Sequence, residues 1–235
     1  MDEEKGNKTE LSESLIFALL LALTGGFLDA YTYVLRGGVF ATMQTGNMIL
    51  LIIKGMEFDW IYTLNYVFPI LSFAAGVVIS EILKDIFVKT KIKWQQVILL
   101  VEVSILAIVV FIPFGDSNIY ATCLISVVAA LQMNGFHKMR GHPFFSTMCT
   151  GNLNSCFIFL YQGIKTKDVT YIIKAVRYIS IIIFFMLGAL VGSLIFEYAN
   201  EFSLFFPCGI LFICFLTLFI NRSQTEVLPR KSASL

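Results

Sequence analysis

The chain has 235 residues, 57% of them hydrophobic and only 14% charged, with a mean hydropathy of +0.81 and a formal net charge of +1. Soluble domains carry about 25% charged residues, so the composition excludes a soluble globular protein, and no basic cluster of nucleic-acid type points to DNA or RNA as a partner. Apolar stretches recur along the whole length and leave no room for a separate soluble catalytic domain.

The first ten residues, Met1 to Glu10, are polar and carry four acids, which does not suit a cleaved secretory signal. Beyond them, apolar stretches run over 14–35, 39–53, 61–83, 95–113, 118–136, 144–160, 178–196 and 202–220. At 1.5 Å per residue most of these can cross a hydrocarbon core of about 30 Å with some tilt, whereas 39–53 would reach only ~23 Å. Both 39–53 and 144–160 are interspersed with Thr, Gly and Asn. They hold an internal repeat: Phe40-Ala-Thr-Met-Gln-Thr-Gly-Asn47 and Phe145-Ser-Thr-Met-Cys-Thr-Gly-Asn152 agree at six of eight positions at an offset of 105 residues. The same offset sets Asp29-Ala30 over Asn134-Gly135. A longer connector then sets Phe73-Ala-Ala-Gly76-Val-Val-Ile-Ser80 over Phe185-Met-Leu-Gly188-Ala-Leu-Val-Gly192. Each half therefore reads as long helix, short Thr-Gly-Asn segment, long helix, long helix.

Lysines and arginines choose between two topologies. If every stretch crosses, the two sides carry 10 and 7 basic residues, a weak split. If the Thr-Gly-Asn segments are re-entrant, only Arg36 and Lys54 remain outside and the other 15 lie inside, which is the positive-inside asymmetry. With three crossings per half, the second half is inserted upside down. The expected fold class is an all-α integral membrane protein of six transmembrane helices plus two re-entrant segments, built as two inverted repeats. Its expected divisions are a cytoplasmic tail over 1–12, a first repeat over 13–114, a second over 115–221 and a cytoplasmic tail over 222–235. The protein is expected in the cell membrane, multi-pass, with both termini cytoplasmic.

The stretch Gly25-Gly-Phe-Leu-Asp-Ala30, followed by Gly37-Gly-Val-Phe40 and Thr45-Gly-Asn47, resembles the signature of the YoaK family, small bacterial membrane proteins classed as a domain of unknown function. The resemblance covers nearly the whole chain and implies about six membrane-spanning segments, but names no substrate. The chain departs from that pattern at Tyr31-Thr-Tyr33, where small or aliphatic residues are more usual.

A backbone can leave helical geometry inside a bilayer only where protein or trapped water satisfies its amides and carbonyls. Gly46 and Gly151 suit positive φ at a re-entrant tip, Thr45 and Thr150 suit caps of the departing helices, and Asn47 and Asn152 offer both donors and acceptors. Two tips entering from opposite faces would bring two helix N-termini together near the midplane, a common basis for a solute site. The expected solute-binding residues are thus Thr45, Gly46, Asn47, Thr150, Gly151, Asn152 and Asn134. The alternative role for these turns is close helix packing. Asp29, deep in the first helix, and Glu102, eight residues into the fourth, are expected coupling-ion residues, since a charge at such depth costs about 2.5–3.5 kcal/mol on insertion scales. Asp29 could instead serve as a helix-helix brace, and Glu102 could instead pair locally or reach a watery crevice.

His137 and His142 lack further ligands for a metal and read as interfacial, and the five cysteines read as small buried hydrophobes. No metal or cofactor is expected. Gly76/Ser80 and Gly188/Gly192 are close-packing seams within the chain or between copies in a homo-oligomer, and Trp60, Tyr62, Trp94 and Tyr171 suit interfacial anchoring. No Gly-x-Ser-x-Gly or His-Glu-x-x-His occurs and Cys149 aligns with Gln44, so an enzyme is not expected. The function expected is membrane transport of a small solute coupled to protons or cations, with a passive channel or a structural, lipid-binding role as alternatives.

Overall fold

The computed structural model describes residues 11–57, 60–90 and 92–227, with side chains except at 60–62 and 221–227. Most of the two expected tails lies outside the described residues, as do the side chains of Trp60, Tyr62, Lys5, Lys8, Lys91, Arg222, Arg230 and Lys231. The described chain is almost entirely helical: α1 (Leu15–Leu35), α2 (Gln44–Met56), α3 (Trp60–Phe87), α4 (Trp94–Val110), α5 (Asn118–Gly135), α6 (Cys149–Thr166), α7 (Val169–Ala199) and α8 (Phe205–Val227). A two-stranded ladder, β1 (Lys138–Met139) with β2 (His142–Pro143), closes through Arg140 and Gly141, both at positive φ as a primed hairpin turn requires.

Local chemistry sets the helix starts. Ser14 accepts from the Phe17 amide at 3.2 Å to open α1, and Asp168 accepts from the Thr170 amide at 2.8 Å to open α7. Helix α7 therefore begins nine residues before the apolar stretch expected at 178, because its first turns carry Lys174 and Arg177. Three stretches are long and apolar enough to cross a membrane: Leu15–Leu35, Thr63–Phe87 and Val169–Ile220, the last covering α7 and much of α8. Their outward faces carry exposed large apolar side chains such as Leu71, Val78, Met186 and Leu194, which is compatible with a membrane protein.

Helix neighbours repeat under exchange of the two halves. Helix α1 lies along α7 as α5 lies along α3, α2 lies on α3 as α6 lies on α7, α4 lies on α5 as α8 lies on α1, and α4 meets its own counterpart α8. Close backbone approach holds the first pair: a Cβ on Gly26 would overlap the Phe185 carbonyl, and one on Gly188 the Leu23 carbonyl. Gly76 lies close, though less tightly, against Val127 and Ala130 of α5, where an added Cβ would stand 3.0 and 2.8 Å from their nearest atoms. The small-residue seams are thus occupied within the chain.

Contacts along the paired helices fix their directions. Gly26 meets Phe185 and Tyr31 meets Phe196, so α1 and α7 are parallel; Gly76 meets Ala130 and Asn134 donates to Glu81, so α3 and α5 are parallel as well. One end of the molecule gathers the start of α1 with the ladder, where the Glu13 carbonyl accepts from the Arg140 amide, and the start of α7, where Tyr178 donates to the Pro143 carbonyl. The other end gathers the C-terminus of α1 with the α4–α5 turn, held there by Arg36. Its guanidinium is buried and donates to the Tyr31 hydroxyl, the Ile112 and Pro113 carbonyls and Asn118 Oδ1.

Candidate functional site

The two repeated octapeptides fold alike. Asn47 Oδ1 accepts from the Phe40 amide at 3.0 Å while its Nδ2 donates back to the Phe40 carbonyl at 2.5 Å. Asn152 makes the same pair of bonds to Phe145, at 3.2 and 2.6 Å. Each asparagine thereby supplies donor and acceptor to an extended residue seven positions earlier, and both are buried, at 0% and 1% exposure. Gly46 and Gly151 face the rings of Phe40 and Phe145, where an added Cβ would sit 3.2 and 3.3 Å from ring carbons.

The expected geometry of these turns needs correction. Gly46 and Gly151 are not at positive φ but lie in the first turns of α2 and α6, and Thr45 and Thr150 lie inside those helices rather than capping them. The N-cap positions are Met43 and Met148, with no side-chain cap bond. The asparagine bracket explains the difference: it fixes the extended approach against the first helical turn, so no left-handed residue is needed to reverse the chain. The innermost point of each segment is accordingly four residues before the glycine, around Thr42 and Thr147.

Those two threonines occupy the same repeat position, and they meet. Thr42 Oγ lies 3.3 Å from the Thr147 carbonyl. The Thr42 amide also donates to Asp29 Oδ1 at 2.8 Å, and its hydroxyl donates to Asp29 Oδ2 at 2.5 Å. Asp29 is near enough to Cys149, at the start of α6, for its charge to act there. A buried carboxylate thus stands at the junction of two helix N-termini, whose amides and partial positive charge offset part of the cost of burying it. A hydroxyl has one proton, and that of Thr42 faces two acceptors; with Asp29 ionised, the shorter contact takes it.

From the second half, Gln132 Nε2 donates to the Leu21 carbonyl and to Ser146 Oγ, each at 3.0 Å, while Gly25 leaves room for the Thr147 side chain. Gln132 Oε1 and Thr147 Oγ are buried here without a hydrogen-bond partner among the described residues. An unpaired buried polar atom costs about 1–3 kcal/mol, so the junction retains capacity to bind a polar ligand. Asn134 is not part of it. Standing one residue from the end of α5, it reaches across to Glu81 Oε1 at 2.8 Å, whereas Asp29 stands six residues from the end of α1. Glu102 is also elsewhere, on the α4 face that meets α8.

The Thr-Gly-Asn ends of the octapeptides are the conspicuous part of the repeat, whereas the junction is built from Thr42, Gln132, Ser146 and Thr147. The signal for the threonines was present, since Thr42 and Thr147 are identical in the two copies. Gln132 carried no such mark. A family described as protein of unknown function (DUF1275) matches residues 17–217, a span that includes both octapeptides and Asp29. The chain belongs to the DUF1275 family. The resemblance to YoaK proteins is consistent with that membership, and no curated protein and no solved structure matches this DUF1275 chain.

Away from the junction, a cavity of about 630 Å³ opens at the Arg36 end, lined by Arg36, Val39, Asn65, Phe68, Asn118 and Thr122. At the other end, His137 Nδ1 lies 2.9 Å from the Asn134 carbonyl and His142 packs edge-on against Phe159. Partial burial, then the charges of Lys174 and Arg177, hold His142 below its ordinary range, so it is neutral at neutral pH. Among the described residues no group of three His, Cys, Asp or Glu side chains could hold a metal ion.

Proposed function

We propose that this DUF1275 protein is a membrane transporter of a small polar solute, coupled to protons or another cation and without chemical turnover, which alternates access around the junction of its two repeated segments. In this reading α1, α3, α4, α5, α7 and α8 span the cell membrane, while the segments ending in α2 and α6 are re-entrant from opposite faces. Both termini are cytoplasmic. Support for the inverted arrangement comes from the chain path: 39–43 leads inward from the Arg36 end and α2 returns toward the start of α3, whereas 144–148 leads inward from the ladder and α6 returns toward the start of α7. Lys84, Lys93, Lys138, Arg140, Lys165 and Lys174 then share one side, as the positive-inside bias requires.

The observation that carries the proposal is the unsatisfied polar capacity of Thr147 Oγ, at the point where the segments meet, and of Gln132 Oε1, whose amide nitrogen holds the neighbouring Ser146. A site that only packed helices would be better served by apolar side chains there. The cavity at the Arg36 end gives the solute a route toward the first segment. The coupling works through the two buried acids, Asp29 and Glu102, one as a latch and one as the ion carrier.

The test is solute-evoked current from proteoliposomes on a solid-supported membrane, screened with small amino acids, sugars, nucleobases and carboxylates under an imposed pH gradient. The wild-type protein gives a saturable, gradient-dependent response to at least one class. Thr147→Val and Gln132→Leu abolish it while the protein still folds and inserts. Conductance that never saturates and ignores both changes identifies a channel instead, and silence across the panel refutes transport of these classes.

A further inference from the structure

Helices α4 and α8 are repeat counterparts that face each other. At the offset of 112 residues that sets Phe73 over Phe185, Gln96 pairs with Cys208, Leu99 with Leu211, Glu102 with Cys214 and Leu106 with Leu218. All eight side chains are buried, so the two helices present the same face to each other and their contact lies on the axis relating the halves. On that face stands an acid in one half and a thiol in the other. Glu102 has 0% exposure, and neither of its carboxyl oxygens has a hydrogen-bond partner among the described residues.

The surroundings of Glu102 offer no compensation for charge. From α8 the titratable neighbour is the Cys214 thiol, on which Glu102 acts. From α5, the Cys123 thiol is engaged with Ser72 of α3, and Ser126 offers only a neutral hydroxyl that is itself unpartnered. On α3, Glu81 and Lys84 pair with each other at the helix end, and the turn before α8 carries Glu201, which acts on Tyr31. No charged side chain among the described residues acts on Glu102. An isolated carboxylate in such a place is far costlier than the neutral acid.

We infer that Glu102 is the proton-binding site of the transport cycle, holding its proton while α4 and α8 are closed together and exchanging it with water when the two halves part. The inference rests on the transporter reading and names its coupling ion. The step balances simply: the O–H bond of the carboxyl breaks, the proton passes to a water molecule admitted between α4 and α8, and a proton from water on the opposite face restores it. The two buried acids thus divide the work. Asp29, with donors on both oxygens, is the ionised latch of the first segment, and Glu102, with none, is the proton carrier.

Dicyclohexylcarbodiimide, an apolar reagent that enters hydrocarbon and attacks protonated carboxyls, tests this on the reconstituted full-length protein. Peptide mass spectrometry is expected to find the adduct on Glu102 and not on Asp29, with the adduct lost in Glu102→Gln and kept in Asp29→Asn. Glu102→Gln should remove the pH dependence of the solute-evoked current while leaving solute exchange, whereas modification of the wild-type protein, which leaves a bulky adduct between α4 and α8, should stop the current. An unmodified Glu102, or a Glu102→Gln protein with wild-type pH dependence, overturns the inference and leaves the transporter reading standing. If the wild-type protein gives no solute-evoked current, the transporter reading fails and this inference falls with it. The labelling of the wild-type protein needs no variant to fold.

Discussion

Asp29 shows why one carboxylate inside an apolar chain need not be a free charge. It accepts from both the amide and the hydroxyl of Thr42, and lies where two helices begin. Replacing it by asparagine keeps an acceptor for the Thr42 amide but turns an NH2 toward Thr42 Oγ. The Thr42 hydroxyl must then accept, and its proton goes to the Thr147 carbonyl, tying the two segments together. Asp29→Asn should therefore fold, bind solute and turn over slowly at every pH, in contrast to Glu102→Gln, which keeps exchange and loses pH dependence. Currents recorded across pH for the two variants decide this, and wild-type turnover in Asp29→Asn contradicts the latch. At this scale the sequence was only partly legible. Asp29 stands out through its depth, but spacing alone does not reveal that Asn47 and Asn152 each spend one donor and one acceptor on the backbone of a residue seven positions back.

Helices were more legible than side-chain roles. Apolar length located α1, α4 and α5 within a few residues, since these are buried on several faces and read as continuous apolar runs. Helices α6 and α7 extend past their apolar stretches because Lys165, Lys174 and Arg177 ride on their ends, where hydropathy falls but the helix continues. The glycine seams were visible as spacing, while their partner was not. Since a Cβ at Gly26 or Gly188 would collide with backbone of the opposing helix, relief requires moving α1 from α7. Gly26→Ala and Gly188→Ala should each destabilise the protein by about 1–3 kcal/mol or more. Gly209→Ala, where nothing lies within 4 Å of the added Cβ, should be neutral or slightly stabilising. Thermal unfolding in detergent measures all three; equal stability of Gly26→Ala and Gly209→Ala contradicts the close α1–α7 contact.

For the molecule as a whole, the octapeptide repeat foretold paired halves, and the exchange of helix neighbours between α1–α4 and α5–α8 follows it. What the repeat could not reveal is that its innermost residues touch, since contact between Thr42 and Thr147 depends on how far each extended approach runs before its helix begins. Nor could it mark α4 against α8 as the shared axis, where the two copies differ most in chemistry, as Glu102 and Cys214. The central claim is that the two segments enter from opposite faces. Its most direct measurement is two-sided labelling of single cysteines in intact cells and inverted vesicles, with Lys54→Cys at the return of α2 and Lys165→Cys at the return of α6, each in a cysteine-free background. A membrane-impermeant maleimide should label Lys54→Cys only from outside and Lys165→Cys only from the cytoplasmic side, whereas labelling of both from the same side contradicts the inverted arrangement and the site built on it.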